Sequence, residues 1–206
     1  MSPAAVIQML IAALVLLSSS VVAAIDDPHR MVRETGDQIL AALTERKAEL
    51  EADPRQIYPL IERSVLPHFD FRSLSQSAMG QFWRQATDEQ KVGITEQFRE
   101  LLVRTYATAL LGYSGEKIEY LPANFKAGDT KAMVSTRLSA DNAPAIPINY
   151  RLRLGDDQTW QIYDVVIDGV SLIANYRSQF TSVIRRQGID GLISQLASKN
   201  REPAGR

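Results

Sequence analysis

Apolar positions fall into three regimes along the chain. From Val6 to Leu17 they run almost unbroken, interrupted only by Gln8, and residues 1–24 carry no charged side chain. Small residues close the run at Ser18, Ser19 and Ser20 and again at Ala23 and Ala24. That pattern fits a cleaved secretory signal over residues 1–24 better than a permanent span, with an uncleaved N-terminal anchor as the alternative. The leader, Met1 to Ala5, departs from the usual form in lacking Lys or Arg.

From Asp27 the period is 3.6. Asp27-Pro28 predicts a helix start, because Asp accepts from the first orphan amides and Pro suits the first helical position. An apolar stripe follows at Val32, Gly36, Ile39, Leu40 and Leu43. Asp53-Pro54 repeats the signal, with Ile57, Leu60, Ile61 and Val65 as its stripe and Pro67 as its stop. A short helix is expected from Asp70 to near Gly80. The longest opens at a capping box, Thr87 to Gln90, and carries Ile94, Phe98, Leu102, Tyr106 and Leu110 to a stop at Gly112.

After Gly115 the period switches to 2. Strands are expected at Lys117 to Leu121, Lys131 to Ser139, Ile146 to Leu154 and Trp160 to Asp168. In the third, Ile148, Tyr150 and Leu152 alternate with Asn149, Arg151 and Arg153, so one face is apolar. In the fourth, strict alternation puts Trp160, Ile162 and Val166 on one face and Tyr163, Val165 and Ile167 on the other. A strand apolar on both faces belongs inside a covered sheet. Helix returns at Ser171, with Leu172, Ile173, Tyr176, Phe180, Val183 and Ile184 as its stripe and Gly188 as its stop. Asp190 caps a last short helix.

Helices, then an antiparallel meander, then helices make an α+β domain. The expected architecture is N-terminal helices, a curved antiparallel sheet of about four strands and C-terminal helices, enclosing an apolar cavity. Residues 25–200 form the single domain and 201–206 a disordered tail.

Composition narrows the function classes. The 206 residues hold 23 Lys+Arg against 24 Asp+Glu, a net charge of -1, which gives no electrostatic reason to expect nucleic acid as a partner. With no Cys there is no disulfide framework, thiolate nucleophile or acylated anchor. The 45% apolar content falls to roughly 41% once the first 24 residues are set aside, an ordinary composition for a folded domain.

Catalytic candidates are sparse. His68 and Asp70 can be written as a base and its orienter, although Asp70 also suits a helix cap. Asp164 and Asp168 lie four apart on the fourth strand and could form an acid-base pair, although Asp168 also suits the Asp168-Gly169 bend. No ligand spacing for a metal is present, nor any nucleophile-elbow, phosphate-loop or dinucleotide motif, and no cofactor is expected. The aromatic residues fall on inward stripes that fit a packed core or a ligand cavity equally.

The segment Trp160 to Phe180, with Ile162, Asp164, Asp168-Gly169, Ser171, Asn175 and Tyr176-Arg177, resembles the signature of the MlaC (toluene-tolerance) family of periplasmic phospholipid-binding proteins. The likeness continues through Ile184, Gly188, Leu192 and Leu196, and back to Pro147 to Tyr150, Tyr106, Leu110, Pro67, Phe69 and Trp83. It spans roughly Asp27 to Asn200. The resemblance implies a monomeric periplasmic carrier without catalytic activity. Its cargo would be phospholipid, moved between an outer-membrane lipoprotein-porin complex and an inner-membrane MCE-type ABC transporter to maintain outer-membrane lipid asymmetry. Carried over, it makes Tyr106, Leu110, Ile148, Tyr150, Trp160, Ile162, Val166, Tyr176 and Phe180 the expected lipid-tail contacts, and Arg177 a possible headgroup contact. A hopanoid-type lipid carrier of the same fold and a small-molecule enzyme on a cone-shaped α+β scaffold are the alternative readings.

Overall fold

The computed structural model describes residues 27–202 apart from 123, 124, 127 and 141–143. The expected signal segment and residues 203–206 of the expected tail lie outside the described residues.

Local chemistry sets the helix starts where the sequence places them. Helix α1 (Pro28–Glu45) is capped by Asp27, whose carboxylate accepts from the His29 amide at 2.8 Å. A break at Arg46 separates it from α2 (Lys47–Ala52). Asp53-Pro54 opens a 3-10 turn first, and the α-helical part, α3, covers Ile57–Ser64. Asp70 caps α4 (Phe71–Met79) by accepting from the Ser73 amide at 2.9 Å. The reciprocal Thr87 and Gln90 bonds form as expected at the start of α5 (Asp88–Leu111).

The sheet is an antiparallel meander of five strands in sequential order: β1 (Lys117–Tyr120), β2 (Lys131–Ser139), β3 (Ile146–Leu154), β4 (Trp160–Ile167) and β5 (Val170–Ser171). The fifth, only two residues long, arises because Asp168 and Gly169 both take positive φ, 49° and 78°. That is the mirror-image turn that folds a strand straight back on itself. Helix α6 (Leu172–Arg201) follows directly, capped by Ser171 and broken internally at Gly188, where φ is 74°. The expected stop at Gly188 is therefore a kink between two helical pieces. The second piece includes Arg201, which was expected in the tail.

Strand β4 departs from strict alternation. Asp164 pairs with Arg151 and Ile162 with Leu152, so Tyr163 is an extra residue with no partner on β3, a β-bulge. The bulge reverses the side-chain phase. Val165 and Ile167 pair with Tyr150 and Ile148 and join Trp160 and Ile162 on the face packed against α1. Val166 shares the opposite face with Asn149, its cross-strand partner.

Apolar packing divides into three clusters. One joins α4, α5 and α6 around Phe98, Leu74, Phe180 and Leu192. A second joins the start of α1 to the sheet through Met31, Val134, Leu152 and Trp160. The third holds α1, α2, α3 and α5 around Leu43, Ile57, Ile61 and Ala107.

A polar knot ties the sheet to α6. Asp164, only 4% exposed, accepts from Arg151 Nη1 at 3.0 Å, from Ser171 Oγ at 2.8 Å and from the Ile173 amide at 3.2 Å. It thus serves both the strand and the orphan amides of the helix start. Asp164→Asn leaves one acceptor oxygen in place of two. It should lower stability by about 2 kcal/mol, while Arg151→Gln, removing a half-exposed partner, should cost less than about 1 kcal/mol. Urea denaturation of both variants measures this; equal effects would show that the helix cap contributes nothing.

Candidate functional site

The three clusters do not merge, and the space between them is an apolar cavity. Its larger lobe, about 430 Å³, lies between α1 and the inner sheet face and is lined by Val32, Ile39, Leu40, Ile118, Leu138 and Ile162, among others. The smaller, about 290 Å³, lies between α3, α5 and the sheet end, against Ile61, Leu102, Tyr106, Val165, Ile167 and Leu172. Val65, Phe69, Leu110, Ile148 and Tyr150 border both lobes. The space is half open to solvent, so without an occupant its apolar walls face water, at about 25 cal/mol per Å². A space of this size is built to be filled.

Of the expected tail contacts, Tyr106, Leu110, Ile148, Tyr150 and Ile162 line the cavity. Trp160, Val166, Tyr176 and Phe180 do not. Trp160 is buried in the sheet cluster beside Phe125, 6.3 Å between ring centroids. Tyr176 and Phe180 pack edge-on against Phe98 at 4.8 and 5.0 Å in the helical core. Val166 is placed on the other sheet face by the Tyr163 bulge. Arg177 lies outside the cavity, its Nε donating to the Ser77 carbonyl at 2.7 Å.

Sequence reasoning missed Val165 and Ile167, because alternation carries no sign of a bulge. It also missed the share of α1, whose stripe at Val32, Ile39 and Leu40 marks a helix without saying what that face meets. The apolar residue before each cap could have marked Phe69, which sits one position ahead of Asp70 and bridges to Ile162.

Helix α1 is fastened over the larger lobe by a polar seam. The Tyr120 hydroxyl donates to Asp37 Oδ1 at 2.9 Å, the Arg33 guanidinium lies over the Tyr120 ring at 4.6 Å, and the His29 ring meets the Leu121 carbonyl at 2.9 Å. Gly36 permits this approach, since a Cβ there would overlap the Tyr120 hydroxyl. Burial, reinforced by Asp37, pushes the Tyr120 phenol up. Burial likewise pushes Tyr150 up, and Tyr106, beside Tyr176, to about 12. These phenols stay neutral at physiological pH, so the cavity tyrosines add polarity without charge.

The catalytic candidates are not assembled. Asp70 spends its two oxygens on the Ser73 amide and on Arg153, leaving none to orient His68. Burial lowers the His68 pKa, which favours the neutral ring. Asp164 is committed to its three donors, and Asp168 sits exposed in the β4–β5 turn. Among the described residues no group of three His, Cys, Asp or Glu could hold a metal ion.

Comparison with known proteins points the same way as the cavity. The family described as MlaC protein matches residues 33–198. A toluene tolerance protein of Pseudomonas putida is 31% identical over 179 residues, covering 82% of this chain and 81% of its own length. The intermembrane phospholipid transport system binding protein MlaC of Haemophilus influenzae is 23% identical over 180 residues, covering 85% and 83%. A solved structure of a phospholipid-binding protein from Ralstonia solanacearum, in complex with a phospholipid, superposes with a TM-score of 0.77 at 32% identity, over 85% of this chain and 97% of that one.

Leu110 borders both lobes, so Leu110→Trp should cut the uptake of an environment-sensitive apolar dye several-fold at an unchanged melting temperature. Val166→Ala, on the opposite face, should leave uptake as it is. A loss in both variants would mean that Val166 reaches the cavity.

Proposed function

Because the chain belongs to the MlaC family, we infer that it is a phospholipid carrier that shields acyl chains in the two-lobed cavity during transfer between membranes. The single observation that carries this reading is the cavity itself, an apolar space too large to be a packing defect and bordered by both helices and sheet. Two acyl chains hold about 30 methylenes, and at ~0.8 kcal/mol each their exposure to water costs on the order of 24 kcal/mol. Unassisted transfer through water is negligible against that figure. A carrier lowers the cost by offering a second apolar environment at nearly the same free energy as the bilayer, since a much tighter site would not release its cargo.

Cavity contacts fall to Tyr106, Leu110, Ile148, Tyr150 and Ile162, joined by Phe69, Val165 and Ile167 of the same walls. Trp160, Tyr176 and Phe180 support those walls from behind. The function requires no catalysis, in keeping with the structural commitments of Asp70 and Asp164.

Compartment and partners follow from the same reading. The apolar, uncharged run in residues 1–24 supports export, and the working compartment is the periplasm. There the carrier exchanges lipid with an inner-membrane MCE-type ABC transporter and an outer-membrane lipoprotein-porin complex, acting as a monomer. No described helix is long and apolar enough to cross a membrane, which suits a protein that meets both membranes and stays in neither.

Native mass spectrometry of the purified protein, followed by lipid extraction, tests the reading. Phospholipid should co-purify and exchange into added vesicles. Folded protein that neither carries lipid nor takes it up would overturn the proposal, and a phosphorus-free polycyclic lipid in the extract would move it to the hopanoid-type alternative. His68→Ala should transfer lipid at the unaltered rate; loss of function in that variant would revive an enzymatic role.

A further inference from the structure

On the outer face of the sheet, away from the cavity, lies a second concavity of about 590 Å³. It shares no lining residue with either cavity lobe. Its walls come from α4, the 3-10 turn Gly80–Arg84, the paired strand ends of β2 and β3, the bulged Tyr163 and the first piece of α6. Four cations converge there: Arg84, Lys131, Arg153 and Arg177.

Their surroundings set them apart. Arg30, Arg46, Arg55, Arg99, Arg137 and Arg151 each pair with a carboxylate. In the groove only Arg153 does so, with Asp70, whose other oxygen already accepts from the Ser73 amide. Arg84, Lys131 and Arg177 form no ion pair among the described residues. Arg177 is also held in place. Its Nε donates to the Ser77 carbonyl, and its aliphatic stem lies over Gly80, leaving the terminal guanidinium nitrogens without a hydrogen bond among the described residues. The chain as a whole carries a net charge of -1, so this concentration of unpaired positive charge is local.

We propose that the groove bounded by Arg84, Lys131, Arg153 and Arg177 is a binding site for a phosphate group. A positioned guanidinium with free donors suits tetrahedral oxyanions, and converging cations in a concave surface raise the local anion concentration. Hydroxyl and amide groups of Ser77, Gln76 and Gln81 on the rim supply further donors. The phosphate comes either from an anionic lipid headgroup at a membrane surface or from free solution. The inference goes beyond the carrier reading and does not depend on what fills the apolar cavity.

Two arms of one experiment separate the sources. In the first, phosphorus NMR line broadening follows inorganic phosphate on addition of the purified full chain. In the second, co-sedimentation compares vesicles of phosphatidylcholine with vesicles containing phosphatidylglycerol, with and without competing phosphate at low salt. Lys131→Gln with Arg84→Gln removes two exposed cations and leaves the structural bond of Arg177 intact. At about fivefold per charge, the double variant should bind about 25-fold more weakly, while Arg185→Gln, just before the Gly188 kink of α6 and outside the groove lining, should bind as the unaltered protein does.

Phosphate binding together with phosphate-sensitive sedimentation identifies a headgroup as the source. Phosphate binding without sedimentation identifies free phosphate. The proposal is overturned if neither probe binds, as for a surface that meets only acidic protein partners, or if the double variant binds both probes undiminished. Circular dichroism of each variant checks that loss of binding is not loss of fold.

Discussion

An apolar space has to be held open against the same force that builds its walls. The hydrophobic effect is non-directional and would draw the three clusters of this domain together if nothing fixed their spacing. Directional polar contacts at the perimeter do that. Asp164 joins β3, β4 and the start of α6 in one knot. Asp70 caps α4 while binding Arg153 of the sheet, and its amide donates to the Ile162 carbonyl at 3.1 Å beside the bulge. Tyr120 fastens α1 to the first strand. None of these groups lies at the centre of a cluster. They work at the seams, where a change of angle would close the cavity.

The same distribution explains why the acidic and imidazole groups that first suggest catalysis do not perform it. Each carboxylate with a candidate catalytic role is already saturated by amides, hydroxyls or arginines, or stands in a turn. What remains inside the cavity is aliphatic and aromatic, with phenols that burial keeps neutral. Such a lining distinguishes poorly among acyl chains, which suits a protein that must accept and surrender its cargo. Affinity is set by apolar area, and the unequal lobes set its shape.

Much of the fold was legible because its signals are local. Asp27-Pro28, Asp70, Thr87 with Gln90, Ser171 and Asp168-Gly169 each act within four residues, and each produced the expected start or turn. The cavity was less legible. A stripe such as Val32, Ile39 and Leu40 has the same period whether it meets another side chain or an open space. Phe180 and Leu110 look alike in sequence, yet one packs on Phe98 and the other borders both lobes. Arg177 shows the same limit from the polar side, since its place on the outer groove depends on how α6 crosses α4. The family signature points to a cavity as a whole without separating its wall from the core behind it, since it carries Leu110 and Phe180 over alike.

The bulge at Tyr163 makes pairing register, more than residue identity, the guarded quantity in β4. Either side of it, apolar substitutions exchange one hydrophobic surface for another. Ironing the bulge out at the same length, with Tyr163 paired to Arg151, would rotate everything downstream by half a turn. Val165 and Ile167 would leave the cavity wall, and Asp164 would enter it without its three donors. Along this strand, apolar side chains can therefore be exchanged for one another so long as the phase of the pleat stays the same.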